Sequence, residues 1–135
     1  MNIKRVVEVS NMVITDHRGE LVISEFDRQF DFLIKRHYVL KGCSAEHSRG
    51  GHAHIDLWQY FVCLVGSVEI VLFDGHVEHQ HKLSSASQGL LVGPMIWRDL
   101  HNFSDDAVVS VLASETYSER DYIRDKAQFE ILVDG

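Results

Sequence analysis

The stretch CLVGSVEIVLFDGHV, residues 63–77, decides the fold class. It is dense in Val, Ile, Leu and Phe, and turn-forming residues cut it twice, at Gly66-Ser67 and at Asp74-Gly75-His76. Short β-branched and aromatic runs bounded by such breaks are strand signals, and the spacing predicts two consecutive hairpins. The same texture extends in both directions. ELVISEF, FLIKRHYVL, QYFVCLV, GLLVGP and AVVSVLAS are further short apolar runs, separated by HRGE, LKGCSAEHSRGG, ASQG and FSDD, which carry Gly, Ser or Asp for chain reversal. In ELVISEF the alternation puts Leu21, Ile23 and Glu25 on one face. Many short strands with almost no 3.6-residue periodicity predict an all-β sandwich or barrel, one domain over residues 1–135. Only the segment from Ser118 onward reads as helix, with Ser118 as N-cap, Asp121 three residues later, and Tyr122, Ile123 and Phe129 turned to the barrel.

Composition narrows the function. A formal net charge of -7 argues against nonspecific nucleic-acid binding, which relies on Lys and Arg to neutralise phosphates. It leaves room for a small phosphorylated ligand held by a few local arginines. No apolar run approaches the length of a membrane span, and the N-terminus lacks a signal-peptide h-region, so the expected location is the cytoplasm. Cys43 and Cys63 are too far apart for a CxxC motif, and Cys63 sits in an apolar run that suits a small buried thiol. Of the nine histidines, His76, His79 and His81 fall in a polar loop and the strand start after it, and read as bystanders.

Just upstream, RGGHAHIDLWQ places His52 and His54 two residues apart, so on an extended strand both leave the same face. Three readings stay open for such a pair: half of a metal site, a proton-transfer pair working near neutral pH, or core polar groups satisfied by neighbours. Arg18, Arg36 and Arg49 lie at Gly-containing turns or strand faces, and a forked guanidinium suits a pyrophosphate. Tyr38 shares a face with Arg36 and is placed to donate to a sugar or to assist proton transfer. Trp97 is a candidate for stacking on a base, His101 for orienting a neighbour, and Gln59 for a hydrogen bond to a catalytic histidine.

The spacing H-x-H-x4-Q-x6-G from His52 through Gln59 to Gly66, with the later GLLVGPMIWRDLHNF, resembles the two motifs of the cupin family. In metal-binding cupins a Glu follows the two histidines and a further His stands in the second motif. Gln59 replaces the first, and Arg98 or Asp99 the second, so no metal is expected: Gln is a weak neutral ligand and a guanidinium is none. RGGHAH, the strands after it and DYIRD, within a match from about Arg18 to Asp125, are more specifically similar to the sugar nucleotide 3,4-ketoisomerases. A His is the expected residue after Trp97, and Arg98 departs from that pattern.

The resemblance implies a cupin jelly-roll barrel with a short C-terminal helix. It implies conversion of dTDP-4-keto-6-deoxyglucose to the 3-keto sugar through an enediol or enediolate, without a cofactor. His52 would be the carbon acid/base, His54 the carrier of protons between the oxygens, and Tyr38 a third catalytic group. Arg18, Arg36, Arg49, Gln59, Trp97 and His101 would bind the substrate. It also implies a homodimer with exchanged N-terminal strands, standing between a nucleotide-sugar dehydratase and a PLP-dependent aminotransferase. Competing readings are a dTDP-sugar 3,5-epimerase and a non-catalytic sugar-nucleotide-binding cupin.

Overall fold

The structure is a computed structural model that describes residues 3–26 and 33–135. Eleven strands run as β1 (Val6–Ser10), β2 (Met12–Asp16), β3 (Gly19–Ile23), β4 (Arg36–Lys41), β5 (Arg49–His54), β6 (Gln59–Val65), β7 (Val68–Phe73), β8 (Glu78–Leu83), β9 (Gln88–Val92), β10 (Trp97–His101) and β11 (Val108–Ala113). A 3-10 turn (Glu119–Asp121), a two-residue strand β12 (Tyr122–Ile123) and helix α1 (Lys126–Asp134) complete the chain. One sheet has the order β1-β9-β6-β11-β4 and the other β12-β5-β10-β7-β8, while β2 and β3 pair only with each other. The two five-stranded sheets form the expected jelly-roll barrel. Among the described residues no helix is long and apolar enough to cross a membrane.

The core fills the space between the sheets because the period-2 pattern aims one set of side chains inward from each. Val68, Ile70 and Leu72 of β7 are fully buried, as are Val109 and Val111 of β11, and they meet Phe61, Cys63, Leu90, Val92, Ile96, Leu100 and Phe103. Truncating one of these side chains, such as Ile70, to Ala costs about 2–5 kcal/mol in cores of this kind. Strand β6 is buried along both faces: Phe61 and Cys63 point into the barrel, while Tyr60 and Val62 form an outer cluster with Leu91. That second layer explains why QYFVCLV is continuously apolar and does not alternate.

One of the two expected hairpins is overturned. β7 and β8 do form a hairpin, from Val68 opposite Leu83 to Phe73 opposite Glu78. β6 and β7, however, lie in different sheets, so Gly66-Ser67 is a corner that carries the chain across the barrel. Both strands satisfy their apolar faces by facing each other through the core. The corner needs glycine: Gly66 has φ of 73°, and a Cβ there would meet Ser104 Oγ and Asp106 Oδ1. Ser67 and Ser104 tie the corner, with Ser67 N donating to Ser104 Oγ and Ser104 N donating back to the Ser67 carbonyl.

The C-terminal reading also changes. The helix does not start at Ser118; that residue opens the 3-10 turn, and Tyr122 and Ile123 pair as a strand with His54 and Ala53 of β5. Asp125 is the N-cap of α1, its carboxylate accepting from the backbone N–H groups of Ala127 and Gln128. Tyr122 turns into the barrel, whereas Ile123 and Phe129 pack on the outer face with Ala53 and Trp97. Strand β3 ends at Ile23, and Glu25 is exposed beyond it, so the alternation with Leu21 and Ile23 does not extend to it. In FLIKRHYVL only the portion from Arg36 is strand, and Phe32 lies outside the described residues.

Candidate active site

Strand β5 enters the barrel mouth through Gly50 and Gly51, with φ of 90° and 67°. The β5–β10 register slips here: His52 pairs with Arg98, but Gly50 pairs with Asp99, leaving Gly51 as the extra residue of a bulge. A Cβ on Gly50 would lie 2.9 Å from the Arg98 carbonyl oxygen, so glycine permits the close approach of β10. After the bulge the alternation resumes, with His52 and His54 inward and Ala53 outward.

The two imidazoles meet edge to face, ring centroids 4.8 Å apart at 87°, and Tyr122 packs against both, at 4.9 Å from His52 and 4.5 Å from His54. His54 is fully buried, and its Nδ1 lies 2.9 Å from Asp121 Oδ2. The other carboxylate oxygen of Asp121 accepts from Asp56 N at 2.8 Å. Burial, then the Arg98 guanidinium, then His52 hold the His54 pKa down to about 2. Burial and then Arg98 take His52 down to about 4. Both rings are therefore neutral at neutral pH. A neutral His54 facing a carboxylate carries its hydrogen on Nδ1, so Nε2 presents a lone pair. That Nε2, like Nδ1 of His52, is buried without a protein hydrogen-bond partner.

His52 lines a cavity of about 380 Å³ between the sheets, with His54 buried directly behind it. Arg36, Arg49, Arg98 and Arg124 all line it, and among the described residues no Asp or Glu does. Leu40, Phe61 and Leu100 supply an apolar wall. In a chain of formal charge -7, four guanidinium groups around one cavity without a carboxylate among them make a site for an anion. Arg98 is buried with 1% exposure, and its bonds go to neutral oxygens: Nη1 to Gln59 Oε1 at 2.6 Å, Nη2 to the Gly93 and Ile96 carbonyls at 3.3 and 2.9 Å, and Nε to Ile96 at 3.2 Å. Burial brings its pKa down to about 10, which still leaves it a cation. Arg124 lies over the Tyr122 ring at 4.2 Å and holds Glu119 through Nε at 2.6 Å and Nη2 at 3.0 Å. Arg36 stands over the Tyr38 ring at 5.6 Å with its Nε buried and unpartnered.

Of the residues singled out from the sequence, His52, Tyr38, Arg36, Arg49 and Gln59 line this cavity, and His54 lies buried against His52. Gln59 does not bond a histidine; it joins Arg98 to Tyr38, donating from Nε2 to Tyr38 Oη at 2.9 Å. Trp97 and His101 are misplaced by the sequence reading. Arg98 and Leu100 point inward, so Trp97 and His101, one residue away on each side, leave the opposite face. Trp97 is buried there beneath α1 against Phe129, and His101 approaches Glu69. Arg18 lies at the β2–β3 tip, exposed and ion-paired with Asp16 at 2.6 Å, outside the cavity of its own chain. His76, His79 and His81 lie on or before β8 and do not line the cavity.

Two functional candidates escaped sequence reasoning, Asp121 and Arg124, and Arg98 had been read only as a departure from a pattern. Asp121 had been taken as part of a helix start. The available signal was DYIRD itself, whose alternation puts Tyr122 and Arg124 on one face once it is read as strand.

Known proteins of this shape match closely. A curated relative, the TDP-4-oxo-6-deoxy-alpha-D-glucose-3,4-oxoisomerase of Aneurinibacillus thermoaerophilus, is 44% identical over 117 residues, 87% of this chain and 84% of that protein. A 3,4-ketoisomerase from Helicobacter canadensis superposes with a TM-score of 0.92 at 36% identity, over 96% of this chain and 98% of the other. The 3,4-ketoisomerase QdtA from Thermoanaerobacterium thermosaccharolyticum, solved as a mutant in complex with TDP-4-keto-6-deoxyglucose, superposes at 0.94 with 34% identity, over 98% and 96%. The family described as "FdtA: WxcM-like, C-terminal" matches residues 2–134, and with the barrel, the histidine pair and these relatives it leads to one conclusion: the chain belongs to that family.

Proposed function

We propose that this chain is a sugar nucleotide 3,4-ketoisomerase that moves the carbonyl of dTDP-4-keto-6-deoxyglucose from C4 to C3. The observation that carries the reading is the neutral His52–His54 pair set beside a buried, uncompensated guanidinium in an arginine-lined cavity. We read Arg36, Arg49 and Arg124, which line the cavity, as the groups that hold the diphosphate, with Arg124 exchanging Glu119 for phosphate oxygens.

The chemistry follows from the protonation states. His52, unprotonated, takes the proton from C3; the C–H electrons form the C3–C4 double bond and the carbonyl electrons move onto O4. The resulting enediolate lies near Arg98, whose fixed charge stabilises it with little reorganisation. His54 Nε2, a lone pair held ready by the Nδ1–Asp121 bond, takes the proton from O3 and returns it to O4. Protonated His52 then delivers its proton to C4 while O3 becomes the ketone, and both imidazoles end neutral.

Incubation with the 4-keto sugar in deuterated water, followed by NMR, tests this. A 3-keto product is expected, with deuterium at C4 only to the extent that the proton on His52 exchanges with solvent before it is delivered. Inversion at C3 and C5 with the ketone left at C4 would establish the epimerase instead, and binding without turnover a non-catalytic module. Elemental analysis with chelator treatment tests the expectation that no metal takes part.

We further read the active form as a cytoplasmic homodimer. The β2–β3 hairpin stands apart from both sheets with Met12, Ile14, Leu21 and Val22 exposed, as an exchanged arm would. Arg18 lies outside its own chain's cavity, so a part for it in binding requires that exchange. Cys43 and Cys63 are both free, in keeping with a reducing compartment. Light scattering tests the dimer: a monomer at working concentration contradicts it.

A further inference from the structure

We propose that Arg98 and Gln59 form a one-way hydrogen-bond relay ending on Tyr38, which leaves the Tyr38 hydroxyl able only to donate into the cavity, to the oxygen at C4 of the bound ketone. The identity of that acceptor rests on the isomerase reading; the direction of the relay does not.

The direction follows from donor inventories. A guanidinium has N–H groups and no lone pair to offer, so the Gln59 atom 2.6 Å from Arg98 Nη1 is the amide oxygen. The amide nitrogen is then the group 2.9 Å from Tyr38 Oη, and it donates. The opposite amide orientation would set N–H against N–H in a buried place, since Gln59 and Arg98 are both 1% exposed. Arg98 is itself anchored by the Gly93 and Ile96 carbonyls, so the chain has a fixed start. At its end the phenol oxygen has accepted a hydrogen bond and its own hydrogen remains. Among the described residues Tyr38 Oη has no other hydrogen-bond partner, and Tyr38 lines the cavity.

Two observations give the arrangement a purpose. His54 Nε2 presents a lone pair, so this imidazole cannot supply the hydrogen bond that charge developing on O4 requires. Burial, set against the pull of Arg98 and the Gln59 bond, keeps the Tyr38 phenol above its usual range, so it stays protonated. A relay that starts on a full charge polarises each bond after it and strengthens the final donor. Gln59 and Arg98 are then positioning residues, and Tyr38 is the group that touches substrate.

Gln59→Glu is the decisive substitution. It keeps the size and the Arg98 contact, but the second carboxylate oxygen accepts the Tyr38 hydrogen and reverses the last bond. The expected result is a kcat about 100-fold lower with KM changed less than about threefold, and a Gln59→Glu/Tyr38→Phe double variant no slower than Tyr38→Phe alone. A Gln59→Glu enzyme as fast as the parent, or losses that multiply in the double variant, would overturn the proposal. An NMR readout needs neither turnover nor a folded Gln59→Glu protein. In 15N-labelled chain, Tyr38→Phe removes the acceptor of one Gln59 side-chain amide hydrogen, which should shift upfield and exchange faster. An unmoved resonance would mean that Gln59 turns its oxygen to Tyr38, and the relay would fall. If the resonance moves in a chain that binds dTDP without isomerising the sugar, the relay stands and the isomerase reading fails.

Discussion

Replacing Asp121 with Asn tests whether the tautomer of His54 is what makes it useful. The wild-type carboxylate accepts at both oxygens, from His54 Nδ1 at 2.9 Å and from Asp56 N at 2.8 Å. An amide accepts at only one of those places. With its oxygen kept on the Asp56 N–H, its NH2 faces Nδ1 and the imidazole must move its hydrogen to Nε2, the atom needed as a proton acceptor. Losing a proton-transfer group typically costs about 10²–10⁴ in rate, equal to about 3–5 kcal/mol of barrier. Stability should fall less, by about 1–3 kcal/mol, for one mismatched, partly buried contact. Asp121 does not line the cavity, so KM should hold. Steady-state kinetics reads the rate, and 15N NMR of labelled histidines reads the tautomer directly. A kcat within about threefold of wild type, or a rate loss with the Nδ1–H tautomer retained, would refute the reasoning, since loss of a proton-transfer group predicts far more.

Acid should destabilise the fold in a defined window. His52 and His54 have folded pKa values of about 4 and about 2 against an ordinary 6.5, so between 6.5 and those values the unfolded chain binds protons that the folded chain does not. Stability is therefore complete above pH 6.5 and falls as pH drops, His52 alone removing about 3 kcal/mol by pH 4; denaturant melts at pH 7 and pH 5 check this, and a His52→Asn variant should show a shallower fall. Gly50→Ala should cost about 1–3 kcal/mol, because Gly50 has φ of 90° and the new Cβ would press on the Arg98 carbonyl; a thermal melt like that of the parent would contradict the tight bulge. Arg124→Gln should raise KM about 10-fold or more through loss of a charge-assisted phosphate contact while leaving kcat nearly unchanged; a kcat loss with constant KM would place Arg124 in the chemistry and not in binding.

Much of this protein is legible along the chain because strands announce themselves locally. β-Branched runs, glycine turns and a two-residue period identified most of the strands, and the H-A-H spacing sufficed to aim His52 and His54 the same way. The family resemblance was carried by local motifs and is borne out by the relatives. Pairing is another matter, because which strand lies beside which is settled by contacts between residues far apart in sequence. Gly66-Ser67 has the chemistry of a hairpin turn, yet joins two sheets, because β6 and β7 both bury their apolar faces in the space between them. Alternation told that Trp97 and Arg98 face opposite ways but not which of them faces inward; β10 resolved this by placing Arg98 opposite His52, which sends Trp97 and His101 outside. Gln59 lines the cavity, and only the packed barrel could supply Arg98 and Tyr38 as its partners in place of the histidine expected from the sequence. Asp121 reaches His54 for the same reason: a carboxylate 67 residues away becomes a neighbour when β12 adds to the edge of β5. Local sequence thus determined the strands and the paired histidines, since steric period and turn chemistry act within a few residues. Tertiary structure decided the protonation states, the buried charge and the direction of each hydrogen bond, since these depend on burial and on partners that only the closed barrel brings together.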